Sequence, residues 1–309
     1  MRIKLLKLKR KKVFMKIRGT EIVDTFAEAF EMVCAKVIIT AKTDDLAIAA
    51  ANSMTGFATS VIGCKCEAAI DEKLSKNNTT DNRPGYSVLI FALDEAGLTK
   101  RLIERIGQCV MTCPSTSCFS GFDGDKLLNI GGALRYFGDG YQISKSINGK
   151  RFWRVPVMQG EFLIEEKFGM KYSVGGGNFY ILANSSDSCL NAALKSNKAI
   201  DRIPNVIMPF PHGVVRSGSK VGAKKYKKLI ASTNENYCPT LKGVVNTELD
   251  ENVNSVLEIV MDAVDEDTLK LAMQTGIKAA ANSPGVVKIT AGNFDGKLGK
   301  YHIHLKDIL

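Results

Sequence analysis

The sequence predicts an α+β protein built from two ferredoxin-like lobes, each a split βαβ unit whose helices pack on one face of a sheet. Three observations support this prediction. The chain has 309 residues, which exceeds what one small core requires. Strand-like and helix-like segments alternate twice in each half of the chain. Hydrophobic residues make up 45% of it and charged residues 24%, as in ordinary globular proteins.

In the first half, strand-like segments enclose two helices with recognisable start signals. Thr43 is placed to cap the first helix, because two acids and an alanine-rich stretch follow it. The second helix is predicted over residues 94–106. The predicted strands are 35–41, 59–63, 86–91 and 108–112, and the polar residues 71–85 are expected to form a surface loop.

The second half repeats this order. Asp187 is expected to cap a helix that ends near residue 200, and another helix is expected over residues 265–281. Residues 129–160, between the halves, are expected to form hairpins with a two-residue turn at Asn148 and Gly149. The predicted strands of the second half are 179–183, 205–210, 255–264, 286–290 and 301–305.

The positive charge of the chain is concentrated at its N-terminus. The formal net charge is +10, and residues 1–18 contain nine Lys or Arg and no acid. Residues 1–14 are expected to be a basic, disordered extension, with the native start at Met15 favoured over Met1. The alternatives are a nucleic-acid-binding arm and a segment on a membrane surface. The lobes are predicted at residues 15–158, with the connecting hairpins, and 159–309.

Two glycine-rich stretches raise the question of phosphate binding. Gly175 and Gly177 lack the third glycine of a dinucleotide fingerprint, and Gly292 and Gly296 are too close together for a phosphate loop. Structural turns are therefore favoured over turns that line a ligand site.

No metal site is predicted. The eight cysteines do not have the spacing of a zinc or iron–sulfur site, so buried or incidental thiols are favoured. His302 and His304 share one strand face without an evident third ligand, which favours an edge strand over a metal site. The chain also lacks a motif for a covalent serine nucleophile.

Glu258 is the most informative acid. Strand alternation places it on the same face as Val256 and Val260. A carboxyl group among valines either lies at a sheet edge and reaches water, or is desolvated, in which case its pKa rises and it holds a proton near neutral pH.

Several segments resemble those of formylmethanofuran:tetrahydromethanopterin formyltransferases, in register from about Gly19 to the C-terminus. They are TEIVDTFAEAF (20–30), TGFATSVI (55–62), RIGQCVMT (105–112), FGDGYQ (137–142), GGGNFY (175–180), PFP (209–211), SGSKVG (217–222), ASTN (231–234), YCPT (237–240), EIV (258–260) and VVKITAGNFDGKLG (286–299).

This resemblance implies a cytoplasmic enzyme of archaeal-type one-carbon metabolism, as in methanogenesis from CO2. Such an enzyme moves a formyl group between N-formylmethanofuran and tetrahydromethanopterin by direct amine-to-amine transfer. The resemblance also implies a homotetramer without metal or prosthetic group, with anionic coenzymes as substrates and no nucleic-acid or membrane partner. The family's active-site glutamate lies in an E-I-V strand, which assigns the catalytic role to Glu258.

Further substrate contacts are nominated by the resemblance and by the charge of the coenzymes. Cationic and hydroxyl side chains beside glycine turns suit carboxylate and phosphate groups, and uncharged polar side chains add neutral donors. The predicted substrate-binding residues are Gln108, Thr112, Asn178, Phe210, Arg216, Ser219, Lys220 and Lys297.

Several residues depart from the family pattern, among them Lys65, Cys66 and His212. Lys65 and Cys66 replace a Pro-Ala pair, and His212 replaces a glycine at a turn. These changes leave open a paralogue that binds a pterin or furan coenzyme with altered or lost activity.

Overall fold

The computed structural model describes residues 12–309, which form seven α-helices and seventeen β-strands. The helices are α1 Asp44–Thr55, α2 Val61–Cys64, α3 Glu95–Arg105, α4 Gly131–Leu134, α5 Ser186–Ile200, α6 Glu266–Ala281 and α7 Leu305–Ile308. The strands are β1 Val13–Ile17, β2 Thr20–Val23, β3 Phe26–Thr40, β4 Glu67–Leu74, β5 Gly85–Ala92, β6 Ser117–Ser120, β7 Lys126–Leu128, β8 Ile143–Ile147, β9 Lys150–Val157, β10 Gly160–Glu165, β11 Phe168–Ala183, β12 Val206–Ile207, β13 Lys220–Val221, β14 Ala231–Ser232, β15 Ser255–Ala263, β16 Val286–Thr290 and β17 Tyr301–His304. No helix in this part of the chain is long and apolar enough to cross a membrane.

The first lobe has the predicted topology. Along the chain its main elements are β3, α1, β4, β5, α3 and β6. The strands lie side by side in the order β4-β5-β3-β6, and all neighbours are antiparallel. This is the arrangement of a split βαβ unit.

The second lobe repeats the arrangement with β11, α5, β12, β15, α6 and β16. Its strands lie in the order β12-β15-β11-β16, again antiparallel. Each lobe has its own apolar core between the sheet and its helices. The predicted α+β fold with two ferredoxin-like lobes is confirmed.

The two lobes share one sheet because their central strands pair with each other. β3 and β11 run antiparallel, from the pair Cys34 and Lys171 to the pair Phe30 and Gly175. Beyond Cys34, β3 pairs with strands of the first lobe, and beyond Gly175, β11 pairs with strands of the second lobe. At their opposite ends β3 pairs with β17 of the second lobe and β11 with β7 of the first lobe. Each central strand therefore belongs to its own lobe at one end and joins the lobes at the other.

The four long helices begin at capping side chains. Thr43, Asp94, Ser185 and Asp265 each accept a hydrogen bond from a backbone N–H of the first helical turn. The prediction that Thr43 is a cap is confirmed. The prediction that Asp187 caps α5 is wrong, because Ser185 occupies the cap and Asp187 lies in the first turn, where a negative charge is also favourable.

Two predicted strands of the first lobe are wrong. Within residues 59–63, Ser60 caps the short helix α2, and the strand of this region is β4. Residues 108–112 continue α3 through a π-helical turn at Ile106–Val110 before β6 begins. Both segments are short apolar runs, for which the pattern of hydrophobic residues alone does not separate strand from helix.

In the second lobe, two predicted strand lengths are wrong. β11 extends far upstream of residues 179–183 and passes through three consecutive glycines, of which Gly176 has a φ of +79° beside an irregularity in the pairing. The predicted strand at residues 205–210 is reduced to Val206–Ile207, because the prolines that follow do not continue a ladder of hydrogen bonds.

The predicted hairpin turn at Asn148 and Gly149 is confirmed. Ile147 pairs with Lys150 across it, and both turn residues have positive φ, as a tight hairpin turn requires. β10 then joins the sheet of the first lobe by pairing in parallel with β6. The predicted limit between residues 158 and 159 falls in the turn between β9 and β10.

At the start of the described chain, β1 and β2 lie beside β16 of the second lobe. β1 begins at Val13, two residues before Met15. The start of the chain therefore pairs with the second lobe, although it was assigned to the first. The limits of the lobes stay a prediction. The disordered basic extension was predicted over residues 1–14, of which Val13 and Phe14 belong to β1. Residues 1–11 lie outside the described residues, and with them most of this extension and of the alternative nucleic-acid-binding arm.

Residues 208–254 form an insertion between β12 and β15 that covers the helix-free face of the second lobe's sheet. Leu249 and Val253 of this insertion pack against Tyr180 and Leu182 of β11. The corresponding connection of the first lobe, between β4 and β5, is confined to residues 75–84. The insertion is therefore the main difference between the two lobes.

A buried ion pair connects the lobes. The fully buried carboxylate of Asp71 accepts hydrogen bonds from Lys36 Nζ at 2.7 Å, Ser87 Oγ at 3.0 Å and the backbone N–H of Asn205 at 2.8 Å. Lys36 also donates to Asn205 Oδ1 at 2.7 Å. Asn205 belongs to the second lobe and the other residues to the first, so this network fixes how the lobes meet.

Replacing Asp71→Asn should lower the free energy of unfolding by roughly 3 kcal/mol, because it leaves the ammonium group of Lys36 without its buried partner. Urea denaturation of the purified protein measures this change. Asp44→Asn is the matched control, since its ion pair with Lys73 is largely exposed and should contribute little. Equal losses in the two variants would contradict the proposed role of the buried pair.

Candidate active site

Glu258 lies in the middle of β15, on the face that the insertion covers. Its cross-strand neighbour on β11 is Tyr180. On the other side, the backbone of Glu258 exchanges hydrogen bonds with Val215, with N···O distances of 2.8 and 2.9 Å. The strand is thus paired on both sides at this residue, which rules out the alternative that Glu258 lies at a sheet edge.

The Glu258 side chain borders a cavity of about 300 Å³ between the sheet and the insertion. Strand residues form its floor and insertion residues form its walls. The lining residues are Tyr180, Val215, Arg216, Ser217, Gly218, Asn234, Tyr237, Cys238, Pro239, Thr240, Val256, Leu257 and Glu258.

Burial raises the pKa of Glu258 from its usual 4.5 to about 8. The charged carboxylate is disfavoured because the surrounding protein replaces water without supplying equivalent hydrogen bonds. Glu258 is therefore mostly protonated at neutral pH. A neutral carboxylic acid in a cavity can donate a hydrogen bond or a proton.

Of the predicted substrate-binding residues, Arg216 shares this cavity with Glu258. It directly follows Val215, so the backbone pairing that holds Glu258 also places Arg216 at the cavity. Ser217 and Gly218 line the cavity too, whereas Ser219 is exposed just beyond it.

The two predicted lysine contacts lie elsewhere. Lys220 is paired with Glu235, which also accepts a hydrogen bond from Lys224 at 2.6 Å. These lysines lower the pKa of Glu235 to about 2. Lys297 is exposed, with Asp295 as its ionic neighbour at 3.4 Å. Neither lysine lines the cavity that Glu258 borders.

Three further predicted contacts also lie outside the Glu258 cavity. Gln108 and Thr112 are exposed in the π-helical turn and its exit, where Thr112 Oγ1 donates to the backbone oxygen of Gln108 at 2.7 Å. They leave a helix rather than a strand, which corrects the geometry expected for them. Phe210 borders a separate groove of about 840 Å³ between the lobes.

Asn178 lies near the cavity, but its amide group is engaged by backbone. Its Oδ1 accepts from Gly292 N at 2.7 Å, and its Nδ2 donates to the oxygens of Gly176 and Gly292, both at 3.2 Å. A coenzyme contact at Asn178 would compete with these bonds.

The glycine-rich stretch after β16 binds a protein carboxylate. The buried side chain of Glu28 accepts hydrogen bonds from the backbone N–H groups of Phe294, Gly296, Leu298 and Gly299, at 2.5 to 3.0 Å. Burial alone would raise the pKa of Glu28, but these four donors outweigh it and the pKa is lowered. The donors that a phosphate would need are therefore occupied by the chain itself.

A pair of neighbouring buried carboxyl groups lies where the lobes meet. Asp262 of β15 accepts from Gly176 N at 2.8 Å, and Glu67 of β4 accepts from Val61 N at 2.9 Å. Burial raises the pKa of both groups, and the neighbouring Glu67 raises the pKa of Asp262 further. Two like charges this close disfavour ionisation of both groups, so the pair retains a proton.

Within residues 12–309 no group of three or more His, Cys, Asp or Glu side chains is arranged to hold a metal ion. His302 and His304 pack their rings against Phe26, at centroid distances of 5.0 and 5.2 Å. All eight cysteines are free thiols.

The residues that depart from the family pattern also lie away from the cavity. Lys65 ends α2 in the left-handed conformation, with a φ of 68°, and Cys66 is buried in the core of the first lobe. His212 adopts a φ of 53° in an exposed turn, which explains why a glycine suits this position.

Sequence reasoning missed Tyr180, Tyr237 and Asn234. The register between β11 and β15 places Tyr180 opposite Glu258, and a search for polar residues on the partner strand would have identified it. Tyr237 and Asn234 come from the insertion, and no sequence pattern indicates which part of an irregular segment covers a strand.

Comparison with protein families decides the relationship of the chain. A family model described as formylmethanofuran-tetrahydromethanopterin formyltransferase matches residues 15–157, and one described as FTR, proximal lobe, matches residues 160–308. The chain belongs to the formylmethanofuran–tetrahydromethanopterin formyltransferase family.

Curated members of this formyltransferase family match almost the whole chain. The enzyme of Methylobacillus flagellatus is 55% identical over 302 residues, which cover 96% of this chain and 100% of the relative. The enzyme of Methanothermobacter thermautotrophicus is 49% identical over 296 residues, which cover 95% and 100%.

Two solved formyltransferase structures have the same fold. The Methanosarcina barkeri formyltransferase superposes with a TM-score of 0.90 at 46% identity and covers 96% of this chain and 100% of its own. A subunit of the formyltransferase/hydrolase complex from Methylorubrum extorquens, solved with methylofuran, gives a TM-score of 0.93 at 44% identity and covers 96% and 98%.

Burial of Glu258 should make stability depend on pH. Below the usual pKa of 4.5 the group is protonated in both states. At higher pH the unfolded chain releases the proton while the folded chain keeps it up to a pH of about 8, so folding is progressively disfavoured. Glu258→Gln removes this effect. The difference in free energy of unfolding between Glu258→Gln and the unmodified protein should therefore rise by roughly 3 kcal/mol, in favour of the variant, from about pH 5 to about pH 7.5.

Urea denaturation at both pH values measures this difference. The control is Glu251→Gln, at an exposed position of the insertion, whose effect should not change with pH. A Glu258→Gln effect that is the same at both pH values would show that the carboxyl group is solvated.

Proposed function

We propose that this chain transfers a formyl group between N-formylmethanofuran and tetrahydromethanopterin. Family membership over nearly the whole chain supports this reaction. The observation that carries the catalytic assignment is the side chain of Glu258, which is half-buried on a doubly paired strand, borders a cavity and stays protonated near neutral pH.

Direct transfer needs one protic group and no covalent enzyme intermediate. The ring nitrogen of the pterin attacks the formyl carbon, and the carbonyl π electrons move to oxygen to form a tetrahedral oxyanion. When the carbonyl reforms, the bond to the methanofuran nitrogen breaks and that nitrogen takes a proton from Glu258. The carboxylate then accepts the proton lost by the attacking nitrogen, so the enzyme is regenerated.

Arg216 is the cation best placed to bind an anionic coenzyme near Glu258, because both border the same cavity. Gln108, Thr112, Asn178, Phe210, Ser219, Lys220 and Lys297 remain proposed contacts for the extended coenzymes. For Lys220 such a contact would replace its present pairing with Glu235.

The assembly that fits this proposal is a cytoplasmic homotetramer without a bound prosthetic group. Predicted contacts that are scattered over one chain are brought closer to a single site if a second copy contributes some of them. Light scattering coupled to size-exclusion chromatography tests the tetramer, and a monomeric mass at assay concentration would contradict it.

An active enzyme is favoured over an altered paralogue. Lys65, Cys66 and His212, the residues that depart from the family pattern, do not line the Glu258 cavity. The cavity itself retains Glu258 and Arg216.

Replacing Glu258→Gln should lower kcat by roughly 100- to 10,000-fold, because the amide cannot deliver the proton. The assay mixes purified protein with formylmethanofuran and tetrahydromethanopterin and follows formyl-pterin formation by absorbance. Glu251→Gln is the control and should keep full activity. Lack of transfer by the unmodified protein would overturn the proposed function, whereas full activity of Glu258→Gln would overturn only the role of this residue.

A further inference from the structure

Tyr180 is a buried polar residue beside Glu258 for which the mechanism above has no role. The two residues are direct cross-strand partners on β11 and β15, so their side chains leave the same face of the sheet, with Cβ atoms about 5 Å apart. Both border the same cavity. Tyr180 is only 7% exposed, so its position is set by the protein rather than by solvent.

The Tyr180 hydroxyl has a proton that is free to be donated. Its oxygen accepts a hydrogen bond from Asn234 Nδ2 at 3.5 Å. No acceptor for the hydroxyl proton is present among residues 12–309, and in the same range the Glu258 carboxyl group makes no side-chain hydrogen bond. Burial, and then the charge that Glu258 carries when ionised, raise the pKa of Tyr180, so the hydroxyl stays protonated.

Two neighbours, Tyr237 and Gly292, restrict the position of the Tyr180 side chain. The ring of Tyr237 packs edge-on against that of Tyr180, with centroids 4.9 Å apart. Gly292 lies against the hydroxyl so closely that a Cβ atom there would be 2.5 Å from the Tyr180 oxygen. Gly292 is itself held by Asn178, which bonds to both its N–H and its carbonyl oxygen.

Gly292 and Asn178 belong to the two Gly-Asn-Phe stretches of the sequence. Their hydrogen bonds join the strand that carries Tyr180 to the end of β16. The paired glycine-rich segments therefore position the phenol group, and this accounts for a motif that phosphate binding does not explain.

We infer that Tyr180 is a second catalytic residue, whose O–H donates a hydrogen bond to the tetrahedral oxyanion while Glu258 handles the proton. This inference rests on the proposed formyl transfer. The two side chains divide the chemistry between them. The phenol group keeps its proton throughout and stabilises the negative oxygen, and the carboxyl group gives its proton to the departing amine and regains one from the attacking nitrogen.

Such a donor acts in the transition state more than in the bound substrates, because the formyl oxygen becomes negative only during transfer. Its loss should therefore reduce kcat and leave the KM values of both coenzymes nearly unchanged. A tyrosine with a purely structural role would instead raise KM or lower stability.

The test is Tyr180→Phe, which keeps the ring and removes only the hydroxyl group. We expect kcat to fall roughly 100-fold, with KM for formylmethanofuran and for tetrahydromethanopterin within about twofold of the unmodified values. Tyr86→Phe is the matched control: Tyr86 is a buried tyrosine of the first lobe whose hydroxyl bonds Asp44 at 3.1 Å, and its kcat should be unchanged.

The outcomes separate the two proposals. No transfer by the unmodified protein refutes the proposed function. An active unmodified protein with a Tyr180→Phe kcat within about threefold refutes the role of Tyr180 and leaves the proposed function intact. A kcat loss of the expected size with unchanged KM and an unchanged melting temperature supports it.

A second variant tests the same role if Tyr180→Phe does not fold. Incorporation of 3-fluorotyrosine at position 180 keeps the hydroxyl group and makes it a stronger acid, and hence a stronger hydrogen-bond donor. A measurable change in kcat at constant KM supports a donor to the oxyanion. Unchanged kcat in this variant contradicts one.

Discussion

The pairing of β3 with β11 is the constraint on which the rest of the molecule depends, because it makes one sheet out of two lobes. It demands a very close approach: a Cβ atom at Gly175 would lie 2.1 Å from Met32 Sδ. The irregularity that follows, around Gly176, shifts the register between β11 and β15, so the side chains of β11 beyond it change faces of the sheet. Since a shift of one residue exchanges the two faces of a strand, this irregularity decides that Tyr180 faces the insertion rather than the helices.

Two acids on one strand then have different fates. Glu258 and Asp262 lie on the same face of β15, and burial raises the pKa of each. Asp262 is fully buried beside Glu67 of the first lobe, so its carboxyl group is part of the contact between the lobes. Glu258 is covered by the insertion, which leaves a cavity. The segment that covers each acid therefore separates an enclosed carboxyl group from one that borders a cavity.

The sequence was sufficient for the order of elements and for several helix starts, because these depend on local periodicity and capping. The catalytic assignment of Glu258 came from the family resemblance and stays a prediction. It failed at residues 59–63 and 108–112, where short apolar runs fit strand and helix alike. The substrate contacts stay predictions, and the sequence could not show which of these side chains lie together. Glycine turns and lysines give no information on which side chains meet, and Lys220 is paired with Glu235, a residue that no spacing rule connects to it.

The insertion at residues 208–254 makes the walls of the cavity structurally independent of its floor. Glu258 and Tyr180 lie on strands that pair with their neighbours, so their replacement disturbs the packing of a whole lobe. Apart from Val215, which pairs with Glu258, the walls come from residues outside the strands of the large sheet. A substitution in the walls therefore changes the shape of the cavity while the strands beneath it keep their positions.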